Sequence, residues 1–519
     1  MIFRKFSTFN VPFMGTRSTF NGLNILAACG VLVLGFLLLT QSPFVVIGLV
    51  AGVAAFLLVS RRPEFGLYLL VLSVPGQAYT SLSLGGSKVT LTQLAVLLAL
   101  SGWFCNRILT KQPFIPRPTP LLLPFYGLYL LVMFVSLTVA KSTSDGLNEI
   151  SRWLIASFAY LLAVTVIQTR KQLWVLVGCL CAGPVAEGLL GWAQLHYETV
   201  QKKFIGCADI SRACGTFEMP NSYGGYLEMG LPLLGAILLL VFVRRNETAR
   251  AWATRYSPAL NNRFFKIFSL FILLAVGIVF ILLGFEAAAS RGAQIGIGFA
   301  LVIMVLVRGK KALPVIFVAL GIIILVLAGV QTEVIPLSTF GRLAQIDSLT
   351  PFDVRDVAVT PDNFAEVERM AMWQAGGNMY LSNPFLGVGI GNYNARYTDF
   401  NAPFWKVSRG HAHNYYIQAA AETGTIGLVA YLFLLGCGIA QGLRAAVRTK
   451  DTALRYVAWG AFGTIMAVAV HNIFEDLHVL NMGIQWSCLL ALFYLVNRLD
   501  KAPKGEEKAL PDYKQVGGA

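Results

Sequence analysis

Residues 267–285 read IFSLFILLAVGIVFILLGF, nineteen positions without a single charge. A helix of that length rises about 28 Å, close to the roughly 30 Å hydrocarbon layer of a bilayer. Lys266 stands just before the run and Glu286 just after it. Working outward, similar apolar runs recur at about 23–40, 44–59, 65–76, 90–104, 120–140, 153–168, 172–195, 223–243, 293–307, 312–330, 414–440, 456–474 and 479–497, separated by short polar or basic stretches. The chain of 519 residues is 56% hydrophobic and only 13% charged, against about a quarter charged in a soluble domain. This pattern predicts an all-α fold, a polytopic helical membrane protein with about 12–14 transmembrane helices, the run at 65–76 being short for a span. It excludes a soluble enzyme, a nucleic-acid-binding protein and a disordered scaffold.

The net charge of +15 is spread between the apolar runs and acts as a topology signal. When the sides are alternated, the segments 1–22, 60–64, 105–119, 169–171, 244–266, 308–311, 441–455 and 498–519 fall together. They hold 28 of the 41 Lys and Arg but 7 of the 26 acidic residues, which makes the two faces +21 and −6. The positive-inside rule then puts both termini in the cytoplasm. Arg4, Lys5 and Arg17 precede the run from Leu23 to Thr40 with no small-residue cleavage site, so that first helix is read as retained.

The resulting organisation is N-terminal transmembrane helices over 1–200, and central helices over 201–330 with a first extracytoplasmic loop at 196–222. A long extracytoplasmic loop follows over 331–413, then C-terminal helices over 414–497 and a disordered cytoplasmic tail over 498–519. Within the long loop, 362–382 (DNFAEVERMAMWQAGGNMYLS) has the spacing of an amphipathic helix, ended by Asn383-Pro384 and the glycine-rich GVGIGNYN. Its Met370, Met372, Trp373 and Met379 suit either a lipid-facing gate or a face packed on the bundle. Tyr393, Tyr397, Phe404 and Trp405 suit either sugar stacking or an interfacial belt. Of eight cysteines, Cys29, Cys179, Cys181, Cys437 and Cys488 sit inside apolar runs. Cys207 and Cys214, with six residues between them in the first loop, are candidates for a disulfide.

The sharpest local signal is SRGHAHNYYIQAAAETGTIG, Ser408 to Gly427, where the long loop enters a span. A histidine there can exchange protons near neutral pH, which suits a general base acting on a hydroxyl; the plainer reading is a helix cap or an interfacial anchor. Arg291 lies between two apolar stretches in EAAASRGAQIG, and Arg212 lies in the first loop ahead of GTFEMPNSYGGY. A guanidinium beside hydrocarbon is costly to keep, and two of them could grip a pyrophosphate through forked hydrogen bonds, against a plainer reading as snorkelling or a pair with Glu286. His471, Glu475 and His478 follow at i, i+4, i+7, as either a zinc site or, with Asn472 and Asp476 competing and no fourth ligand evident, a polar cluster.

Taken together, Arg212 with GTFEMPNSYGGYL, the Ser290–Gly292 SRG, ERMAMWQAGGNMYLSNPFLGVGIGNY and HAHNYYIQAAAETGTIGLVAYL resemble the O-antigen ligase and O-antigen polymerase superfamily over about 205–485. The resemblance implies a fold similar to the C-type glycosyltransferases. It implies transfer of a glycan from an undecaprenyl-pyrophosphate-linked donor to a glycan or lipid-linked acceptor at the outer face of a bacterial inner membrane. No metal and no cofactor are implied. On matching positions it makes His413, not His411, the catalytic base and Arg212 and Arg291 the pyrophosphate ligands. Asn414, His411, Arg409, Glu475 and His471 stand beside these as supporting candidates. Membrane lipids are expected partners, as is a chain-length regulator if the protein polymerises; nucleic acid is not. The chain departs from the family by two extra spans and a longer second loop, which leaves the acceptor open between ligase, polymerase and protein O-glycosylation. The competing reading is a transporter or flippase of the same lipid-linked glycan, which would use the arginines but need no base. A purely structural subunit would leave Arg291 and Glu187 unexplained.

Overall fold

The computed structural model describes residues 43–77, 81–84, 87–197, 212–254, 258–309, 352–360 and 363–502. The chain begins there with α1 (Pro43–Arg61) and α2 (Glu64–Ser73), followed by a short antiparallel hairpin of β1 (Ser81–Leu84) and β2 (Ser87–Thr90) in which Leu82 faces Val89. That hairpin is the one departure, among the described residues, from an all-helical reading. Thr90 and Gln93 then close a reciprocal capping box that starts α3 (Leu91–Leu109), and Thr169 and Gln172 do the same for a later helix. Between them lie α4 (Leu122–Ser136) and α5 (Thr143–Val166); the second box opens α6 (Arg170–His196).

The central elements are α7 (Pro220–Glu228), α8 (Leu231–Thr254), α9 (Pro258–Ala288) and α10 (Arg291–Val307). The long loop contributes α11 (Phe364–Ser382) and α12 (Tyr393–Phe400). The C-terminal part is α13 (Tyr415–Arg448), α14 (Thr452–His471) and α15 (Gly483–Lys501). Asp451 caps α14 through the N–H groups of Ala453 and Leu454, and its other oxygen takes Arg170 at 2.7 Å, which ties the starts of α6 and α14 together.

Eight of the described helices are long and apolar enough to cross a membrane, α7 and α8 counting as one stretch (Pro220–Asn246). The chain is a multi-pass helical membrane protein. Twelve of the fourteen apolar runs fall on described helices, whereas 23–40 and 312–330 lie outside the described residues. Three runs form shorter helices: α2 has ten residues, α10 has seventeen, and the apolar part of α1 is 47–61. The run at 479–497 becomes α15, which is not among the eight. Every residue from Gly483 to Phe493 is buried, because α15 lies among α5, α13 and α14 and meets other helices, not lipid.

Around that helix, α9 packs on α6 and α8, α10 packs on α14, and α13 packs on α4 and α14. The outward faces stay apolar, with Leu131, Leu273, Leu301 and Phe433 all exposed, as expected where lipid is the solvent. Two breaks in this regular packing shape the site. α13 is kinked at Gly424, whose φ of +64° is left-handed. The connection from α14 to α15 (472–482) is not an α-helix and passes through Leu480 and Asn481 at φ +50° and +54°.

The apolar face of helix α11 does not lie on lipid. Val367, Met370, Ala371, Met372, Ala375 and Met379 are all buried, so its apolar face packs inward against α12 and the first part of α13. Tyr393 and Tyr397 are buried in the same small core, with Tyr393 donating to Met372 O, which rules them out as sugar platforms. Trp405 packs on Phe364, and Phe404 is fully exposed.

Candidate active site

Asn414 caps α13 by accepting the Ile417 N–H at 3.0 Å, so the residue before it must turn sharply out of the loop. That residue is His413, at φ +50°. A left-handed conformation costs a non-glycine residue about 1–2 kcal/mol, a strain that tends to be held at functional positions. The turn brings His413 against Glu475 on the 472–482 connection, with Nδ1 at 3.0 and 3.1 Å from the two carboxylate oxygens. Glu475 also receives Asn221 Nδ2 at 2.7 Å, the Asp476 N–H at 3.2 Å and His411 Nε2 at 3.4 Å. Burial alone would raise the Glu475 carboxyl, but His413, His411 and the hydrogen bonds hold it well below the ordinary carboxylate range.

The hydrogen bonds assign the protons. His411 Nδ1 accepts the His413 backbone N–H at 3.1 Å, so its own proton sits on Nε2 and points at Glu475. Burial, followed by the adjacent His413, pushes His411 down to about 4, leaving it neutral. His413 Nδ1 donates to the carboxylate, which leaves its Nε2 as a free acceptor. His411, His413 and Glu475 are also close enough to hold a metal ion, their donor atoms lying within 4.8 Å of one another. The second nitrogen of a metal-ligating histidine normally donates a hydrogen bond. That of His411 accepts one, so the trio fits a proton-holding network better than a metal cage.

The i, i+4, i+7 reading of His471, Glu475 and His478 does not hold, because α14 ends at His471 and the connection diverges. His471 Nδ1 pairs with Glu228 at 2.9 Å, Glu475 turns to His413, and His478 Nε2 bonds Tyr431 at 3.1 Å among aromatic rings.

Both predicted arginines line one cavity of about 80 Å³, together with Arg369, Asn221, Ser290 and His471. Arg212 donates from Nε to Ala288 O at 2.9 Å and from Nη2 to Asn221 at 2.8 Å. Its loop is held by α6: Glu187 accepts the Thr216 N–H and hydroxyl, both at 2.9 Å, and Gln194 accepts the Gly215 N–H at 2.8 Å. This gives the buried Glu187 a structural role. Arg291, at the first position of α10, is paired with Glu366 of α11. A relay of side chains therefore runs from Arg212 through Asn221 and Glu475 to His413.

Arg369 was assigned no role from the sequence, although it lies inside the ERMAMW segment. Its Nε is buried without a hydrogen-bond partner among the described residues. Burial lowers its pKa, while the nearby Glu475 opposes that shift. Arg409 does not line the cavity and pairs at 3.0 Å with Glu368. Cys214 is disulfide-bonded; Cys207, the partner expected for it, lies outside the described residues.

Residues 276–432 match the family model described as O-antigen ligase. This domain match supports the O-antigen ligase and polymerase superfamily. The O-antigen ligase domain so defined contains Arg291, Arg369, His411, His413 and Asn414, whereas Arg212, Asn221, His471 and Glu475 lie outside it. The cavity is thus built from the domain and from helices on both sides of it. No curated protein matches the chain. The match supports a membrane enzyme of O-antigen ligase or polymerase type, with glycosyltransferase-like activity in general terms.

Proposed function

We propose that this enzyme moves a glycan from an undecaprenyl-pyrophosphate donor to an acceptor hydroxyl, without a metal and with inversion, on the extracytoplasmic face of a bacterial inner membrane. The observation that carries the reading is the relay joining the His413 imidazole to a cavity lined by three guanidinium groups. His413 Nε2 takes the proton of the acceptor hydroxyl as its oxygen attacks the anomeric carbon. The bond from that carbon to the phosphate oxygen breaks, and its electron pair leaves with the lipid pyrophosphate. Arg212, Arg291 and Arg369 offset the charge that develops on the leaving group, as preorganised cations do best in a partly dry site. Attack opposite the leaving group inverts the centre.

Glu475 keeps His413 in the tautomer with a free Nε2, Asn221 and His411 hold Glu475, and His471 packs against Gly292 and lines the same cavity as Arg291. The energy comes with the donor, so no nucleotide is needed. The excess of Lys and Arg on the other face of the bundle supports placing the site outside the cytoplasm.

The test is transfer by purified protein in liposomes, using a lipid-pyrophosphate-linked glycan in EDTA. His413→Ala should lower the rate by roughly 10²- to 10⁴-fold, the usual worth of a general base, and Arg369→Ala should lower it with Arg291→Ala. Full activity in His413→Ala sinks the assignment. Movement of donor across the bilayer without a new glycosidic bond would identify a carrier instead.

A further inference from the structure

Two of the most exposed apolar side chains in the long loop belong to one turn. Leu381 and Phe385 are each 73% exposed, and they flank Asn383-Pro384 at the end of α11, a segment with no lipid-spanning role in the sequence. The turn is fastened to α13 at its kink. Pro384 O accepts the Thr425 N–H at 2.7 Å and the Thr425 hydroxyl at 2.8 Å, and Tyr380 shares a 3.0 Å hydrogen bond with the same hydroxyl. Gly424 lets the backbones meet this closely, since a Cβ there would lie 2.2 Å from the Phe385 carbonyl.

That attachment point has a definite height. Below it, residues 426–443 of α13 carry no charge until Arg444, and eighteen helical residues rise about 27 Å, one hydrocarbon layer. The loop-side edge of that layer therefore falls at Thr425–Ile426. A second helix agrees: α4 ends at Ser136, one turn before Lys141, and Ser136 Oγ donates to Leu386 O at 3.1 Å. Directly beneath the turn, Ile426, Val429 and Phe433 are exposed at i, i+3, i+7, a stripe that only lipid can cover in a spanning helix.

We propose that the Leu381–Phe385 turn is a membrane anchor, in which both side chains enter the interfacial layer of the loop-side leaflet as a continuation of the lipid-facing stripe of α13. The partner is a lipid surface. Helix α11 runs beside the first part of α13, with Trp373 bonded to His413 O, Gly376 against Ile417 and Tyr380 at Thr425. One end of α11 thus carries Arg369 at the cavity, with Glu366 paired to Arg291, while the turn at the other end is held in lipid. The anchor makes no use of the transfer chemistry, so it stands or falls separately from that reading.

The experiment places an environment-sensitive fluorescent amino acid at position 381, at position 385 or, as a control, at the exposed Asp356 of the full chain in liposomes. Shallow nitroxide-labelled lipid should quench 381 and 385 several-fold more strongly than 356, and aqueous iodide should do the reverse. Equal iodide quenching at all three positions overturns the proposal. Protection of 381 and 385 from both quenchers also overturns it, because it would mean that a protein partner covers the turn.

Discussion

A buried carboxylate that receives two imidazoles, an amide and a backbone N–H can stay ionised where burial alone would protonate it. Glu475 is in that position, and in the proposed mechanism its worth lies in the proton it fixes on His413. Glu475→Gln keeps the volume but replaces an anionic acceptor by a neutral one. A hydrogen bond to a charged group contributes about 1.5–3 kcal/mol, so we expect kcat to fall roughly tenfold to a hundredfold with KM nearly unchanged. A KM effect alone, measured on the same transfer assay, would instead place Glu475 in substrate binding. At this scale the sequence was partly legible. His413 stood out because a histidine beside a helix-capping asparagine at a membrane edge is chemically unusual. Arg369 did not, because within ERMAMWQAGG a cation on a loop helix looks like its solvated side. Its place in the cavity follows from how α11 packs, which depends on contacts distant in sequence. Glu475 was attributed to a helical face that ends four residues earlier.

Among the elements, α13 shows how a glycine can be required by shape. Gly424 is both left-handed and in contact with the backbone of the Leu381–Phe385 turn. Gly424→Ala should cost about 1–3 kcal/mol, the order of a strained backbone residue, seen as a lower Tm in detergent. It should also reduce transfer, since the first part of α13 bears His413 and Asn414. An unchanged Tm would show that the kink relaxes freely. The glycine was visible in ETGTIG, but nothing in that string distinguishes a kink from an ordinary tolerated glycine, whereas the capping boxes at Thr90 and Thr169 follow directly from the spacing of Thr and Gln. The long-loop helix was legible from its periodicity; which way its methionines face was not, because an apolar stripe suits lipid and protein alike.

Over the whole molecule, hydropathy was enough to read a helical membrane bundle but not to rank its helices by surroundings. Much of the 472–482 connection is buried, and of its two carboxyls Asp476 lacks the imidazole partners that hold Glu475 ionised. Burial, followed by Glu149, pushes Asp476 up to about 7. Its folded pKa lies above the unfolded value, so between roughly 4 and 7 the folded state holds a proton that the unfolded chain has lost, and stability falls as pH rises through that window. Asp476→Asn removes the titration while keeping an oxygen for the His478 N–H, which Asp476 accepts at 2.8 Å. The variant should therefore melt above the wild type at pH 8, with the gap closing as pH is lowered towards 4. A gap independent of pH would assign the difference to something other than this carboxyl.

The enclosure of α15 has a consequence for biogenesis. Gln485, Trp486 and Ser487 would each be poorly received by bare lipid during synthesis, and in the finished protein they are fully buried among other helices. A translocon releasing this segment on its own would find little reason to pass it sideways, so the helices before it have to wait as a half-built cradle for α15 to arrive. Glycosylation mapping of chains fused just after Lys501 should show efficient insertion with the preceding helices present and poor insertion when Gly483–Lys501 is the sole apolar segment.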